Sequence, residues 1–156
     1  MTKLPPEEYF KSLPKKRIGT GILFFDEAGK LLIVKPNYKD GWAIPGGTAD
    51  EGESPKSAAV RETKEEIGLD AQDLTLVCIH YSSAKGVHTE SIQFIFFGGV
   101  LDSNQISGIK LADDELDEFK FVSTEEAKAM LTHGLSRRLP FCLDAIKNKT
   151  AIYLES

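Results

Sequence analysis

The sequence predicts one mixed α/β domain, because segments with strand character alternate with segments that carry helix-capping signals. The chain has 156 residues, of which 41% are hydrophobic and 28% are charged. This length and composition are typical of one globular domain with a buried core. We expect residues 1–156 to form that single domain, since no repeat or flexible linker divides them.

The first third of the chain predicts a β-hairpin followed by a tight turn. Residues 19–25 and 31–35 are apolar runs joined by a polar segment that contains Gly29. Residues 41–47, GWAIPGG, are a short apolar segment interrupted by Pro45 and two glycines. Glycines at this point allow a sharp turn that exposes backbone carbonyl groups.

A helix follows the polar loop. Ser54 is predicted as its N-cap and Pro55 as its first residue, where the missing N–H has no cost. The helix is predicted to run to Ile67, with Gly68 as the left-handed residue after its end.

The second half predicts three strands and two helices. The strands are predicted at residues 74–81, 91–101 and 118–123, with a hairpin loop at 82–91. Ser123 and Glu126 form a capping box that opens a helix, which we expect to end at Gly134. A last helix is predicted from about residue 139 to about residue 147.

The charge and composition exclude several classes of protein. The net charge of −5 leaves no basic footprint for general nucleic-acid binding. Cys78 and Cys142 are far apart in sequence, and we expect both to be small buried residues in a reducing compartment. No signal peptide and no membrane span is predicted, so we expect a cytoplasmic location.

Three glutamates crowd one face of the predicted helix. Glu62, Glu65 and Glu66 stand at positions i, i+3 and i+4. Two carboxylates about 5 Å apart repel each other by roughly 3 kcal/mol at an effective dielectric constant near 20. Such a group of hard oxygen ligands suits Mg²⁺, with Mn²⁺ as a substitute. On the glutamates alone, a solvated acidic helix face would be the favoured interpretation.

The flanking residues favour a metal site over a solvated face. A backbone carbonyl at Gly46 or Gly47 could join the carboxylates as a neutral ligand. Glu53 ends the loop before the helix, and Arg61 lies beside the acidic face. An ion pair between Arg61 and Glu53 would tie the loop to the helix and maintain the shape of the site.

Residues 47–69, GTADEGESPKSAAVRETKEEIGL, resemble the Nudix box, G-x5-E-x7-R-E-U-x-E-E-x-G-U, in which U is apolar. Only Thr63 departs from the pattern, since an aliphatic residue is usual there. The matching positions are Gly47, Glu53, Arg61, Glu62, Glu65, Glu66, Gly68 and Leu69.

The resemblance implies an α/β/α sandwich around a mixed sheet and a Mg²⁺-dependent pyrophosphohydrolase. The implied metal ligands are Glu62, Glu65, Glu66 and the Gly46 carbonyl. The implied reaction is attack by an activated water on a phosphoanhydride of a nucleoside diphosphate derivative. Glu65 is our first candidate for the general base.

A second candidate for the base lies in the acidic segment LADDELDEF, residues 111–119. Glu115 stands about where some family members place a distal glutamate, and Glu118 is its alternative. Solvation of an acidic loop would explain these residues as well.

The substrate is open at this level. Arg17, Tyr38 and Trp42 are candidates for binding a nucleotide, although Trp42 could equally belong to the core. The proline or tyrosine markers of two Nudix subgroups are absent from residues 83–88, SAKGVH. We expect a small nucleotide or diphosphate substrate, and homodimers are frequent among such relatives.

Two other functions compete with hydrolysis. One is a Nudix-fold sensor that binds a nucleotide without cleaving it, although a sensor has no need of the complete ligand set. The other is an isomerase acting on an isoprenoid diphosphate. That reaction would need a protonating cysteine–glutamate pair, which Cys78 and Cys142 do not obviously supply.

Overall fold

The computed structural model describes residues 3–156, which form one six-stranded mixed sheet with helices on both faces. The helices are α1 (Pro6–Ser12), α2 (Pro55–Ile67), α3 (Ser103–Ser107), α4 (Thr124–Met130) and α5 (His133–Asn148). The strands are β1 (Arg17–Phe25), β2 (Leu31–Pro36), β3 (Thr75–Ser82), β4 (Ser91–Val100), β5 (Leu116–Val122) and β6 (Ile152–Glu155). Their order across the sheet is β5-β2-β1-β4-β3-β6. The pairs β1–β4 and β3–β6 are parallel, and the other neighbours are antiparallel.

Two apolar layers hold the helices against the sheet. Successive side chains of a strand point to opposite faces, so the central strand β1 contributes to both layers. Ile22 and Phe24 pack on one face with Ile67 of α2. Leu23 packs on the other face with Leu139 of α5. The result is an α/β/α sandwich, as predicted, and its middle strand is buried on both sides.

Helix α2 has the predicted bounds and caps. The Ser57 N–H donates to Ser54 Oγ at 3.1 Å, and Pro55 opens the helix. Gly68 ends it with φ +71°, and its N–H donates to the Lys64 carbonyl at 3.0 Å.

The five predicted strands are also present, each within two residues of its predicted ends. Both cysteines are free and buried, as expected.

The predicted boundary between the last two helices was wrong. Helix α4 ends at Met130, and Gly134 belongs to α5, which begins at His133 rather than near residue 139. The chain is extended between the two helices because it pairs with a distant segment. The Trp42 N–H donates to the Met130 carbonyl, and the Thr132 N–H donates to the Trp42 carbonyl. This pairing is tertiary, so the local capping signals did not reveal it.

Three short elements were not predicted. They are α1, α3 and β6, which have 7, 5 and 4 residues. Helix α3 does carry a local signal, a capping box between Asp102 and Gln105. Strand β6 pairs with β3 at the edge of the sheet, and only alternate residues of it are partly buried.

The turn formed by Pro45, Gly46 and Gly47, called the glycine turn below, lies between strand β1 and helix α2. The Ile22 N–H donates to the Pro45 carbonyl at 2.8 Å, and the Thr20 N–H donates to the Gly47 carbonyl at 2.7 Å. Helix α2 packs on β1 and buries Ala59 with Ile67. The turn and the helix therefore share one rigid support. Within residues 3–156, no helix combines the length and the apolar character that crossing a bilayer requires.

We predict that Gly68→Ala lowers the free energy of unfolding by about 1 kcal/mol, because an alanine side chain disfavours the left-handed conformation. Gly108→Ala is the matched control, since Gly108 also ends a helix but has φ −83°. Urea denaturation of both variants measures the difference. Equal destabilisation of the two would contradict the conformational explanation.

Candidate active site

Helix α2 presents the glutamate cluster, Glu62, Glu65 and Glu66, toward the glycine turn. The side of the helix that packs on the sheet is fully buried at Ala58, Ala59, Thr63 and Ile67. The helix cannot rotate without exposing that apolar side, so packing sets the direction of the glutamates. Thr63, the one departure from the family pattern, lies in this buried side, and its hydroxyl has no hydrogen-bond partner among residues 3–156.

Arg61 joins the loop to the helix. Its Nε donates to Glu53 Oε1 at 2.8 Å, and its Nη2 donates to Glu53 Oε2 at 2.9 Å, which makes a bidentate pair. Nη2 also donates to the Thr48 carbonyl at 3.2 Å. Nη1 reaches back to Glu62 at 2.9 Å and to Glu65 at 3.1 Å. One guanidinium therefore fixes the loop and offsets the charge of two members of the cluster.

The pKa of Glu53 falls to about 2, first because Arg61 donates to it and then because the Asp50 N–H does. The carboxylate is thus charged at any physiological pH. Since this pKa lies below the usual value of 4.5, the interaction stabilises the fold fully above pH 4.5. That contribution is lost as the pH falls through about 2.

Glu66 is the most deeply buried member of the cluster, with 6% of its surface exposed. Its Oε2 accepts a hydrogen bond from the Gly46 N–H at 2.9 Å. Burial raises the pKa of Glu66 to about 8, and the Gly46 N–H opposes this rise. Repulsion from Glu62 and Glu115 raises the pKa further. Burial also raises the pKa of Glu62, against the effect of Arg61. These carboxylates lack enough positive charge around them.

Two glycines allow the turn to approach the cluster. Gly46 has φ +152°, and a Cβ there would lie 2.1 Å from the Thr20 carbonyl oxygen. A Cβ on Gly47 would lie 2.4 Å from Glu62 Cδ. Any larger residue would separate the turn from β1 or from Glu62. No hydrogen bond among residues 3–156 occupies the Gly46 carbonyl.

The donor set fits a divalent cation, although residues 3–156 contain no preformed group of three acidic, histidine or cysteine side chains around one point. Oxygen ligands suit Mg²⁺, and the raised pKa values of Glu62 and Glu66 mark a shortage of positive charge. Arg61 supplies part of that charge in the structure. The residue types therefore agree with a metal site.

The structure distinguishes the two candidates in the acidic segment. Glu115 lies close enough to raise the pKa values of Glu62 and Glu66 by repulsion. Its backbone is held at the start of β5, where its carbonyl accepts from the Asn37 N–H at 2.9 Å. Glu118 is exposed on β5 and forms an ion pair with Lys120 at 3.2 Å. Only Glu115 therefore faces the cluster.

A cavity of about 300 Å³ adjoins the glycine turn and Glu66. Arg17 and Tyr38, two of the predicted substrate-binding residues, line it. Trp42 does not line this cavity. It packs against the apolar layer next to α4 and α5, with Lys120 over its ring.

Several residues of the cavity were absent from the sequence predictions. They are Thr20, Lys39, Gln93 and Arg138. Arg138 was missed because the last helix was expected to begin after it. The parallel pairing of Gly19 with Gln93, which brings β4 to the cavity, has no local signal.

The α/β/α sandwich with its arginine-tied glutamate helix defines the class of fold, and the similarity to known proteins specifies the family. The NUDIX domain family matches residues 15–141, so the chain belongs to the NUDIX family.

Curated relatives match over parts of the chain. Nudix hydrolase 5 of Arabidopsis thaliana is 34% identical over 115 residues, which are 70% of this chain and 37% of that protein. An RNA pyrophosphohydrolase of Hydrogenovibrio crunogenus is 39% identical over 61 residues, 39% of this chain and 37% of that protein. The chain thus spans little more than a third of the length of these relatives.

Solved structures agree on the fold. The MutT protein from Methanosarcina mazei Go1 superposes with a TM-score of 0.65 at 24% identity, covering 88% of this chain and 99% of that one. A UDP-X diphosphatase gives 0.73 at 18% identity, covering 98% of this chain and 76% of that one. At these identities the likeness concerns the fold alone.

We predict that Arg61→Gln raises the pKa of Glu53 from about 2 toward its usual 4.5, because the largest cause of the depression is removed. The Asp50 amide, which donates to Glu53, should also exchange its hydrogen faster. Carboxyl NMR titration and hydrogen exchange measure these effects.

The control is Arg137→Gln, which removes an exposed arginine from helix α5. It should leave both measurements unchanged. A low Glu53 pKa that persists in Arg61→Gln would show that another group holds the loop.

Proposed function

We propose that this chain is a Mg²⁺-dependent pyrophosphohydrolase that cleaves a phosphoanhydride bond in a nucleoside diphosphate derivative. The observation that carries the proposal is the glutamate cluster, which Arg61 holds beside the glycine turn at the edge of a cavity. A solvated acidic helix face would need neither the bidentate Arg61–Glu53 pair nor a buried Glu66.

Four groups of the chain would hold the cation: the carboxylates of Glu62, Glu65 and Glu66 and the carbonyl of Gly46. When bound, Mg²⁺ would neutralise phosphate oxygens and increase the acidity of a water for attack on phosphorus. Mn²⁺ has similar ligand preferences and is a candidate substitute.

Glu65 is our candidate for the general base. Its side chain is 54% exposed, and only its Oε2 is engaged, by Arg61 at 3.1 Å. The other carboxylate oxygen has no hydrogen-bond partner among residues 3–156, so it is available to accept a proton from water. Glu115 is the rival candidate because it faces the same cluster from the start of β5.

The relatives support a phosphoanhydride as the target bond. They include proteins named RNA pyrophosphohydrolase and putative 8-oxo-dGTP diphosphatase, the latter from Bacillus subtilis and 31% identical over 102 residues. These names differ in substrate and agree in bond type. We therefore propose the type of bond that is cleaved and the metal ion that is required. A screen of nucleotides is needed to identify the substrate.

The central test is a panel of nucleoside triphosphates, nucleotide sugars and dinucleoside polyphosphates, assayed for released phosphate or pyrophosphate with Mg²⁺ and with Mn²⁺. We predict turnover that EDTA abolishes and that Glu65→Gln reduces by about 10²–10⁴-fold in kcat, the usual effect of losing a general base. Glu51→Gln is the matched control, since Glu51 is exposed in the loop. It should keep wild-type activity.

Near-wild-type kcat in a folded Glu65→Gln would exclude Glu65 as the base. Tight, Mg²⁺-dependent binding of a nucleotide with no product after long incubation would contradict the proposed hydrolysis and favour a nucleotide sensor.

A second pair of variants separates the candidates in the acidic segment. We predict that Glu115→Gln lowers kcat by about tenfold or more, because Glu115 acts on the cluster electrostatically. Glu118→Gln should change it by less than about twofold, since that side chain only pairs with Lys120. Steady-state kinetics on the substrate from the screen gives both values. Equal losses would show that the segment acts through its overall charge.

A further inference from the structure

The cavity beside the glycine turn combines a carboxylate with several cations. Glu66 and Gly46 line it on the side of helix α2. Arg17, Lys39 and Arg138 line it as well, and each comes from a different part of the chain. The presence of Glu66 in the cavity wall is explained by its membership of the glutamate cluster. Lys39 offsets part of the negative charge of Glu66. Arg17 and Arg138 form no ion pair with the cluster among residues 3–156, so their presence needs another explanation.

Arg138 is a partly buried cation without an acidic partner among residues 3–156. No carboxylate of the described chain lies within ion-pair distance of its guanidinium. Its one side-chain hydrogen bond is donated by Nε to His80 Nδ1 at 2.6 Å. Arg17 likewise forms no ion pair within residues 3–156. Surface arginines without partners are common, but Arg138 has given up much of its water to line a cavity.

The surroundings of Arg138 make its positive charge energetically unfavourable, because they are partly apolar. Its side chain also borders a small apolar pocket formed with Leu23, Ile95, Leu139 and Cys142. Burial lowers the pKa of the Arg138 guanidinium, against the opposing effect of Cys78 and Cys142. A desolvated charge without a partner is unfavourable, so an anion in the cavity would be stabilised by it.

His80 orients the guanidinium. Nδ1 of His80 accepts from Arg138, so the ring must be neutral with its proton on Nε2, which then donates to Ser156 Oγ at 2.9 Å. Burial and then the positive charge of Arg138 lower the pKa of His80, which keeps the ring neutral. Ser156 follows strand β6 and is held against β3, because the Ser156 N–H donates to the Tyr81 carbonyl at 2.9 Å.

The terminal nitrogens of Arg138 are left for a ligand. Nε is engaged by His80, whereas Nη2 lies beside Gly134 on the cavity wall, 3.3 Å from where a Cβ would be. A guanidinium fixed at one nitrogen presents its two remaining amino groups in a defined plane, which suits the paired oxygens of a phosphate or carboxylate.

We propose that Arg138, positioned by His80, binds an oxyanion of the substrate, a phosphate or carboxylate outside the bond that is cleaved. The substrate class is then a nucleoside diphosphate derivative that carries an additional phosphate or carboxylate. This identification rests on the proposed function, whereas the binding of an oxyanion at Arg138 can be tested without any catalysis.

The test measures binding of inorganic phosphate to the full chain in EDTA, where the glutamate cluster cannot recruit phosphate through a metal. Isothermal titration and the arginine Nε–H signals in NMR spectra report the affinity and the site. Wild type should bind phosphate with a shift of the Arg138 Nε–H signal. Arg138→Gln should weaken binding by about tenfold or more, as expected for the loss of a charge-assisted hydrogen bond.

Arg137→Gln is the matched control, because it removes one exposed positive charge from the adjacent position of the same helix. Its affinity for phosphate should equal that of wild type. Arg138→Lys keeps the charge without the planar pair of amino groups, and it should fall between wild type and Arg138→Gln. Equal weakening by Arg137→Gln and Arg138→Gln, or no shift of the Arg138 signal in wild type, would overturn the proposal.

A kinetic experiment separates this proposal from the proposed function. On matched substrates with and without the extra phosphate, wild type should show a lower KM for the phosphorylated member. Arg138→Gln should remove that preference, so that the KM of the phosphorylated member rises to that of its unphosphorylated counterpart. Turnover without any such preference would refute the oxyanion site and leave hydrolysis standing. Phosphate binding at Arg138 without hydrolysis of any substrate would support the oxyanion site and refute the proposed hydrolysis.

Discussion

The bidentate ion pair between Arg61 and Glu53 is the interaction on which the site depends. It connects the loop at one end of helix α2 to the helix itself, and the same guanidinium reaches Glu62 and Glu65. An exposed ion pair contributes little to stability, but this one is shared by several partners and is partly shielded from water. Its importance lies in geometry, because it prevents like charges from separating into solvent.

The carboxylates of the glutamate cluster repel one another, and the packing of the surrounding fold holds them together. Burial and repulsion make the charged forms of Glu62 and Glu66 unfavourable, as their raised pKa values show. The apolar layer on Ile67 and the close approach at Gly47 hold them in place nevertheless. Local strain of this kind persists where the surrounding structure determines it, and it is a feature of sites that bind charged ligands.

Local patterns were enough to predict the helix, its caps and the five longer strands, because capping and apolar periodicity act over a few residues. They were also enough for the Arg61–Glu53 pair, since a helix and a short loop restrict the distance between the two. They failed at the start of α5, where pairing with Trp42 decides the backbone conformation. They failed for Arg138 as well, because its role depends on strands and helices that are distant in sequence.

The parallel pairing of β1 with β4 has a consequence for how the molecule is made. Arg17 pairs with Ser91, so the strand that supports the glycine turn acquires its neighbour only after more than seventy intervening residues have been synthesised. Contacts between such distant segments form slowly, because closing a long chain segment costs entropy before any contact rewards it. A nascent chain that has not yet released β4 from the ribosome therefore lacks one side of the cavity. We expect the capacity to bind ligand to arise late in biosynthesis, after much of the helix that carries the glutamates has already formed.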